Sequence, residues 1–268
     1  MKDKVVIITG SSSGIGLATA IYFAKKGAKV MLAARSIDIL QSVADDLNAS
    51  GYSVAACKTD VTIEDDCRNL IEKTLEKFGQ IDVLINNAGI SMRALFKDVD
   101  TKVLRRLFDV NFWGAVYCTK YALPHLVESR GSVVGVSSVA GFIGLPGRTG
   151  YSASKYALHG FLETLRIENL KNGLNVLVMC AGYTRSDIRK KALTADGTPQ
   201  GFTPREEEKM MTPEQVAGAI YRAVKHRRSY RILTLEGKVT AMVKRIAPRI
   251  LELGAYAKMK NEPDSPLN

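Results

Sequence analysis

At 268 residues the chain can bury one full core, and 46% hydrophobic with 24% charged residues is ordinary for a globular protein. It has no apolar run of about 18 residues, which excludes a membrane-spanning helix, and its first residues lack the pattern of a secretory signal. Cys57, Cys67, Cys118, Cys180 and the three histidines show no ligand spacing, so neither a disulfide framework nor a metal site is expected, while a net charge of +11 directs attention to anionic partners.

Val5-Val6-Ile7-Ile8 is a continuous apolar run, the pattern of a strand covered on both faces of a parallel sheet. Thr9-Gly10-Ser11-Ser12-Ser13-Gly14-Ile15-Gly16 follows at once, and a helical pattern then runs to Gly27. Strand, glycine turn and helix N-terminus suit a dinucleotide: glycine lets the backbone approach the pyrophosphate, and the helix end stabilises the anion. Gly10, Ser11, Ser13, Gly14, Ile15 and Gly16 are therefore candidate cofactor contacts. A second strand is predicted over 29–34. A site for an unphosphorylated ribose places a carboxylate at that strand's end; here Ala34 is followed by Arg35 and Ser36. A guanidinium there can meet a 2′-phosphate, which the glycine turn favours over a merely solvated arginine.

A helix over about 37–48, a strand over 53–58, a helix over about 63–78 and a strand over 81–85 continue the alternation. Asp60 and Val61 follow the third strand, where a carboxylate can reach an adenine amino group. Asn87, Ala88 and Gly89 close the fourth strand. The alternation predicts one doubly wound α/β domain, with a seven-stranded parallel sheet whose strand C-termini share one edge. One long helix is predicted over about 101–127, and its Asn111 is a polar residue among apolar ones that needs a buried partner. The fifth strand, over 131–138, ends on Ser138.

Tyr151 and Lys155 open a helix predicted to run to about Glu168. At i and i+4 they share a face, phenol beside ammonium. A free phenol titrates near pH ~10, and a neighbouring cation lowers that value towards the working range. Tyr-x-x-x-Lys alone is a weak signal. Arg148, just upstream, reads as a surface or subunit contact. After a sixth strand over 174–179, Gly182 and Thr184 stand near the same edge. The segment 183–211 is long, polar and aperiodic, and reads as a substrate lid. Its Arg185, Arg189, Lys190 and Lys191 face either an anionic substrate or solvent. A helix over 213–223 and a last strand over 231–233 complete a catalytic unit at 1–236.

From Arg222 to Lys260, eleven Lys or Arg stand against two acids, Glu236 and Glu252. Val239, Met242, Val243, Ile246, Ile250 and Leu251 recur at helical spacing among these cations. A basic amphipathic helix is predicted over 237–260, kinked at Pro248. It fits an anionic membrane surface, or else packs on the domain or a second subunit. Residues 261–268 are predicted to be disordered.

Thr9-Gly10-x-x-x-Gly14-x-Gly16, Asn86-Asn87-Ala88-Gly89, Asn111, Ser138 and Tyr151-x-x-x-Lys155 resemble, in order and spacing, the short-chain dehydrogenase/reductase family from residue 4 to about 185. The resemblance implies that Ser138 hydrogen-bonds a substrate carbonyl and that Tyr151 gives or takes the proton. It implies that Lys155 lowers the phenol's pKa and holds the nicotinamide ribose, and that Asn111 holds a water linking Lys155 to solvent. Tyr151, Lys155, Gly182 and Thr184 thereby join the cofactor contacts, and NADP, through Arg35, is the expected cofactor. Two positions depart from the family: Cys180-Ala181-Gly182 stands where Pro-Gly is usual, and Ser13 where many NADP users carry a base.

Ala33-Ala34-Arg35-Ser36, Asn87-Ala88-Gly89-Ile90-Ser91 and Thr194-Ala195-Asp196-Gly197 are similar to membrane-associated reductases of lipophilic ketones. These are the hydroxysteroid dehydrogenase-like proteins and the acyl-dihydroxyacetone-phosphate reductase group. The implied activity is hydride transfer between NADP(H) and a lipophilic ketone or secondary alcohol. A cytoplasmic homodimer or homotetramer at the membrane surface is expected, with no nucleic-acid partner. A non-catalytic dinucleotide-sensing or scaffold protein of the same fold is the alternative, and the complete set Asn111, Ser138, Tyr151 and Lys155 argues against it.

Overall fold

The computed structural model describes residues 1–204, 208 and 210–267. Its strands are β1 (Val5–Thr9), β2 (Lys29–Ala34), β3 (Val54–Lys58), β4 (Val83–Asn86), β5 (Ser132–Ser138), β6 (Asn175–Ala181) and β7 (Tyr230–Ile232). They form one sheet in the order β3-β2-β1-β4-β5-β6-β7, parallel throughout. Strand order reverses between β1 and β4, so a crevice opens beyond their C-terminal ends, where doubly wound sheets take ligands.

The continuous apolar strands follow from burial on two sides. Val6 and Ile8 enter one core while Ile7 enters the other, as the two-residue period of a strand requires. Helices α1 (Gly14–Lys25) and α2 (Ile37–Ala49) cover the first face through Phe23 and Leu40. Helix α3 (Glu64–Phe78) covers the second through Leu70. Each such side chain contributes about 1.5–3 kcal/mol on burial. Glu64, Asp65 and Asp66 fill the first turn of α3, where carboxylates suit the positive end of the helix, and left-handed Gly79 stops it.

The long helix predicted over 101–127 is interrupted. Helices α4 (Thr101–Phe108) and α5 (Gly114–Glu128) are joined by a π-turn, Asp109–Trp113. The wider turn holds Asn111, whose side chain bonds main chain at Ile90, so the helix departs from its regular ladder where this polar group needs partners. Helix α6 (Thr149–Glu168) begins two residues before Tyr151, and α7 (Pro213–Lys225) starts with a reciprocal cap between Thr212 and Gln215.

The single kinked helix predicted over 237–260 is two helices, α8 (Leu235–Ile246) and α9 (Pro248–Lys260). Pro248 lacks the N–H that would continue α8 and disfavours helical geometry at Ala247, which lies at φ −141 and ψ 65. Helix α8 starts earlier than predicted because the Thr234 hydroxyl accepts from the Gly237 N–H.

Residues 261–267, predicted disordered, instead fold onto the domain, and Asn268 lies outside the described residues. Arg93 is buried, which demands polar partners. It donates to the Pro263 carbonyl at 2.8 Å and pairs with Glu262 at 3.5 Å. The segment 183–211 is fastened to the body by a bridge at Met92–Leu193, and its two ends are joined to each other at Thr184–Met211. Arg189 faces neither substrate nor solvent: it is buried and donates to the Thr184 carbonyl and the Thr203 hydroxyl. Of the charged run from Arg205 to Lys209, all but Glu208 lies outside the described residues.

Candidate active site

The ends of β1 and β4 are stitched together through main chain. The Thr9 hydroxyl accepts from the N–H groups of Asn87 and Ala88 at 3.1 Å, and Asn87 Nδ2 donates to the carbonyls of Thr9 and Gly10 at 2.9 and 3.2 Å. That closeness dictates the glycines. A Cβ on Gly10 would lie 2.9 Å from Ala88 Cα, and one on Gly16 would lie 2.2 Å from the Gly10 carbonyl oxygen. Gly10 and Gly14 also have φ of +66° and +55°, which side chains disfavour.

Helix α1 begins at this turn with no acid in its first turn and no side-chain cap from Ser13. Its opening N–H groups thus keep the character of an anion site, and the chain fits a dinucleotide here. Ser11 does not contribute its side chain: it is buried, and its Oγ accepts from the Ala33 N–H at 2.9 Å. Ile15 packs on the first core. Across the turn, Ser186 Cβ lies 3.5 Å from where a Gly14 Cβ would be, so Ser186 faces the cradle. The hydroxyl of Thr184, the residue singled out from sequence, turns instead to the Gly182 carbonyl at 3.1 Å.

Arg35 and Ser36 are exposed at the end of β2, and Arg35 makes no ion pair among the described residues. Asp60 is half-buried; its Oδ1 accepts from Thr62, and Val61 packs where a Gly114 Cβ would lie.

Asn111, Gly89 and Lys155 converge. A Cβ on Gly89 would lie 3.2 Å from Asn111 Oδ1 and 3.6 Å from Lys155 Nζ. Asn111 Oδ1 accepts from the Ile90 N–H at 2.8 Å, and its Nδ2 donates at 3.0 Å to the Ile90 carbonyl and to Ser154 Oγ. The asparagine therefore locks the β4 loop to α6, one residue before Lys155. Lys155 is buried, donates to the Val136 carbonyl at 3.0 Å, and lies 5.9 Å from the Tyr151 ring centroid. Ser138 caps the short turn after β5 by accepting from the Ala140 N–H, and it stands close enough to the Tyr151 phenol to oppose the rise in its pKa.

Burial dominates the electrostatics of Tyr151 and Lys155. Burial raises the half-buried Tyr151 phenol above its ordinary value, and Ser138 and the Arg148 guanidinium oppose that rise. The Lys155 ammonium donates to the Val136 carbonyl, and burial lowers its own pKa to about 8. Arg148, half-buried, is tied inward by its Nη1, which donates to Ser91 Oγ at 2.8 Å and to the Met92 carbonyl at 3.2 Å. Sequence offered only its closeness to Tyr151 as a signal.

Behind Lys155 stands a buried cluster that spacing did not reveal. His159 Nε2 lies 2.7 Å from Ser137 Oγ and 3.8 Å from Cys180 Sγ, and the Cys180 thiol donates to the Tyr230 hydroxyl at 3.4 Å. Desolvation brings His159 to about 4, so the imidazole is neutral, and raises Cys180 to about 11.

A stability prediction follows from Lys155. Its ordinary value is 10.5 and its folded value about 8. Below pH ~8 it is charged in both states and its burial costs stability. Between pH ~8 and ~10.5 the unfolded chain binds more protons, so stability rises with pH by up to about 3 kcal/mol from this group. Denaturant titrations of the cofactor-free protein and of Lys155→Met should converge as pH rises from 7 to 10, with the variant the more stable at pH 7. Parallel curves would show that Lys155 carries no such penalty.

The doubly wound sheet, the glycine turn at its switch point and the helix end beyond it define a dinucleotide-binding class of protein. The sequence pattern described as short chain dehydrogenase matches residues 4–197, and the chain belongs to that family. The chain is 40% identical over 257 residues to 11-beta-hydroxysteroid dehydrogenase A of Arachis hypogaea, covering 93% of this chain and 73% of that protein. It is 37% identical over 254 residues to 11-beta-hydroxysteroid dehydrogenase-like 2 of Arabidopsis thaliana, covering 93% and 79%. An alcohol dehydrogenase from Thermococcus sibiricus, solved with 5-hydroxy-NADP, superposes with a TM-score of 0.76 at 26% identity, over 86% of this chain and 95% of that one. A short chain dehydrogenase/reductase from Burkholderia phymatum, solved with NAD, gives a TM-score of 0.83 at 24% identity over 93% and 95%, a likeness of fold.

Proposed function

We propose that the protein reduces a lipophilic ketone with NADPH, or runs the reverse oxidation, with Tyr151 as proton donor or acceptor. The observation that carries this reading is the meeting of Ser138, Tyr151, Lys155 and Asn111 at one sheet edge beside the glycine turn. When bound, the nicotinamide supplies or accepts the hydride. The Ser138 hydroxyl orients the carbonyl oxygen and stabilises the charge that develops there. Tyr151 delivers the proton; its raised pKa keeps the phenol protonated at neutral pH, the form that reduction needs. Lys155 and Asn111 fix the β5 and β4 ends around α6. Gly10, Gly14, Gly16, Asn87 and Ser186 would hold the pyrophosphate side, Asp60 the adenine, and Arg35 with Ser36 a 2′-phosphate.

A lipophilic substrate is supported by the names of the plant relatives. A subunit contact, as a homodimer or homotetramer, is supported by Trp113, stacked on Tyr117 and partly exposed, and by Ile167 in the last turn of α6 and Leu170 just beyond it, also exposed. No helix among the described residues is long and apolar enough to cross a membrane, and the proposed place of work is the cytoplasmic membrane surface.

An NADPH-oxidation screen of ketones, graded from short polar ones to steroids and long acyl chains, tests the reaction. Turnover confined to the lipophilic end is expected; no turnover of any ketone would favour a non-catalytic dinucleotide sensor. Arg35 tests the cofactor. A charge-assisted contact contributes about 1.5–3 kcal/mol, so NADPH should bind roughly ten- to hundredfold tighter than NADH. Arg35→Ala should remove most of that gap in a fluorescence titration, and equal affinities in the unmodified protein would refute NADP preference.

A further inference from the structure

Helices α8 and α9 turn their large apolar side chains outward. Leu235, Val239, Met242 and Ile246 fall at i, i+4, i+7 and i+11 on α8, and Ile250 and Leu253 extend the exposed apolar set onto α9. Ile246 is 78% exposed, Ile250 66%, Met242 59% and Leu253 58%. Of the two helices, Gly237 and Met259 are the buried residues. Exposed rows of this kind on a protein surface call for a cover.

Cations accompany the row. Lys238, Arg245 and Arg249 are exposed, and Lys244 sits 4.9 Å over the Tyr156 ring. Both acids of the two helices are already paired, Glu236 with Lys258 and Glu252 with Arg249. The surface is therefore apolar with a positive balance. A second copy would set the same cations against each other, whereas anionic headgroups complement them. At 12 and 13 residues the helices are too short to span a bilayer of about 30 Å and long enough to lie in its interface.

We propose that α8 and α9 dock flat on an anionic lipid bilayer and that this turns the approach to Tyr151 towards the lipid. The other side of α9 supports the second half. Met259 packs 3.0 Å from where a Gly147 Cβ would lie, and Lys258 sits 5.2 Å over the Tyr183 ring. A groove of about 360 Å³ lies between α9, at Ala255 and Tyr256, and the start of α6, at Thr149 and Ser152. Docking stands on the surface alone; the lipid-borne ketone rests on the reductase reading.

The test uses the full chain, since truncation would also remove Met259 and the partners of Arg93. The protein should co-sediment with vesicles of phosphatidylglycerol and phosphatidylcholine, not with phosphatidylcholine alone, and salt should release it. Combined Met242→Asp, Ile246→Asp and Ile250→Asp should weaken vesicle binding by about a hundredfold or more. Lys238→Glu with Arg245→Glu should weaken it by about tenfold or more. Both variants should keep turnover of a water-soluble ketone and lose turnover of one dissolved in the vesicles. Failure of the unmodified protein to sediment overturns the proposal. So does conversion of a larger species to monomer by the aspartates in ultracentrifugation, which would make the face a subunit contact. Vesicle binding without reduction of any ketone would leave docking intact and remove the reductase reading alone.

Discussion

Tyr151→Phe should lower kcat/KM for ketone reduction by about a thousandfold, the scale of a lost general acid. The substitution removes one hydroxyl, while the ring keeps its packing beside Met92, Leu107 and Leu193. Thermal stability and NADPH affinity should therefore stay close to those of the parent, separating chemistry from folding. The pH profile adds a second readout. Burial raises the phenol, so reduction should run level through neutral pH and fall only above pH ~10, while the reverse oxidation should climb over the same range. Near-normal reduction by the phenylalanine variant would assign the proton to another group.

Gly16→Ala should cost cofactor binding about a hundredfold or more and destabilise the fold by about 1–3 kcal/mol or above, through overpacking at a rigid place. The new Cβ would lie 2.2 Å from the Gly10 carbonyl oxygen and 2.5 Å from Asn87 Nδ2. Neither atom can retreat freely: the first is backbone in the turn after β1, and the second is held by the carbonyls of Thr9 and Gly10. Relief requires opening the join between β1 and β4, which is the floor of the dinucleotide site. Gly144→Ala, whose Cβ would meet nothing within 4 Å, serves as control. Fluorescence titration with NADPH and a thermal melt give the two numbers, and parental NADPH affinity in Gly16→Ala would remove the turn from the cofactor site.

The sheet was legible because strands covered on both faces are written as unbroken apolar runs, and Val5-Val6-Ile7-Ile8 serves both cores. The glycine turn was legible because main-chain crowding leaves one residue type that fits. Spacing also placed Tyr151 and Lys155 together. It did not say where the ammonium points, since the Val136 carbonyl belongs to another element. Arg148 meets its partners at Ser91 and Met92, and Arg93 meets Pro263, across long stretches of chain that no local pattern connects. The stripe on α8 and α9 was visible as a period, but its outward direction depends on Gly237 and Met259 taking the inward positions.

The π-turn at Asp109–Trp113 has a consequence for length variation in this chain. A π-turn holds one residue more than the α-turn it replaces. Deleting a single residue there would leave an unbroken helix joining α4 to α5, with acceptable backbone geometry throughout. Because the α-turn covers the same rotation with one residue fewer, the two halves would keep their mutual phase, and the change would fall on the side chains of the turn itself. Asn111 would swing off Ile90 and Ser154 while α5 kept its seat beside α3. A one-residue gap at this point is therefore a far harsher change than several residues gained or lost in an exposed connection such as that around Gly51, and an aligned relative showing such a gap would have to hold its α6 by other means.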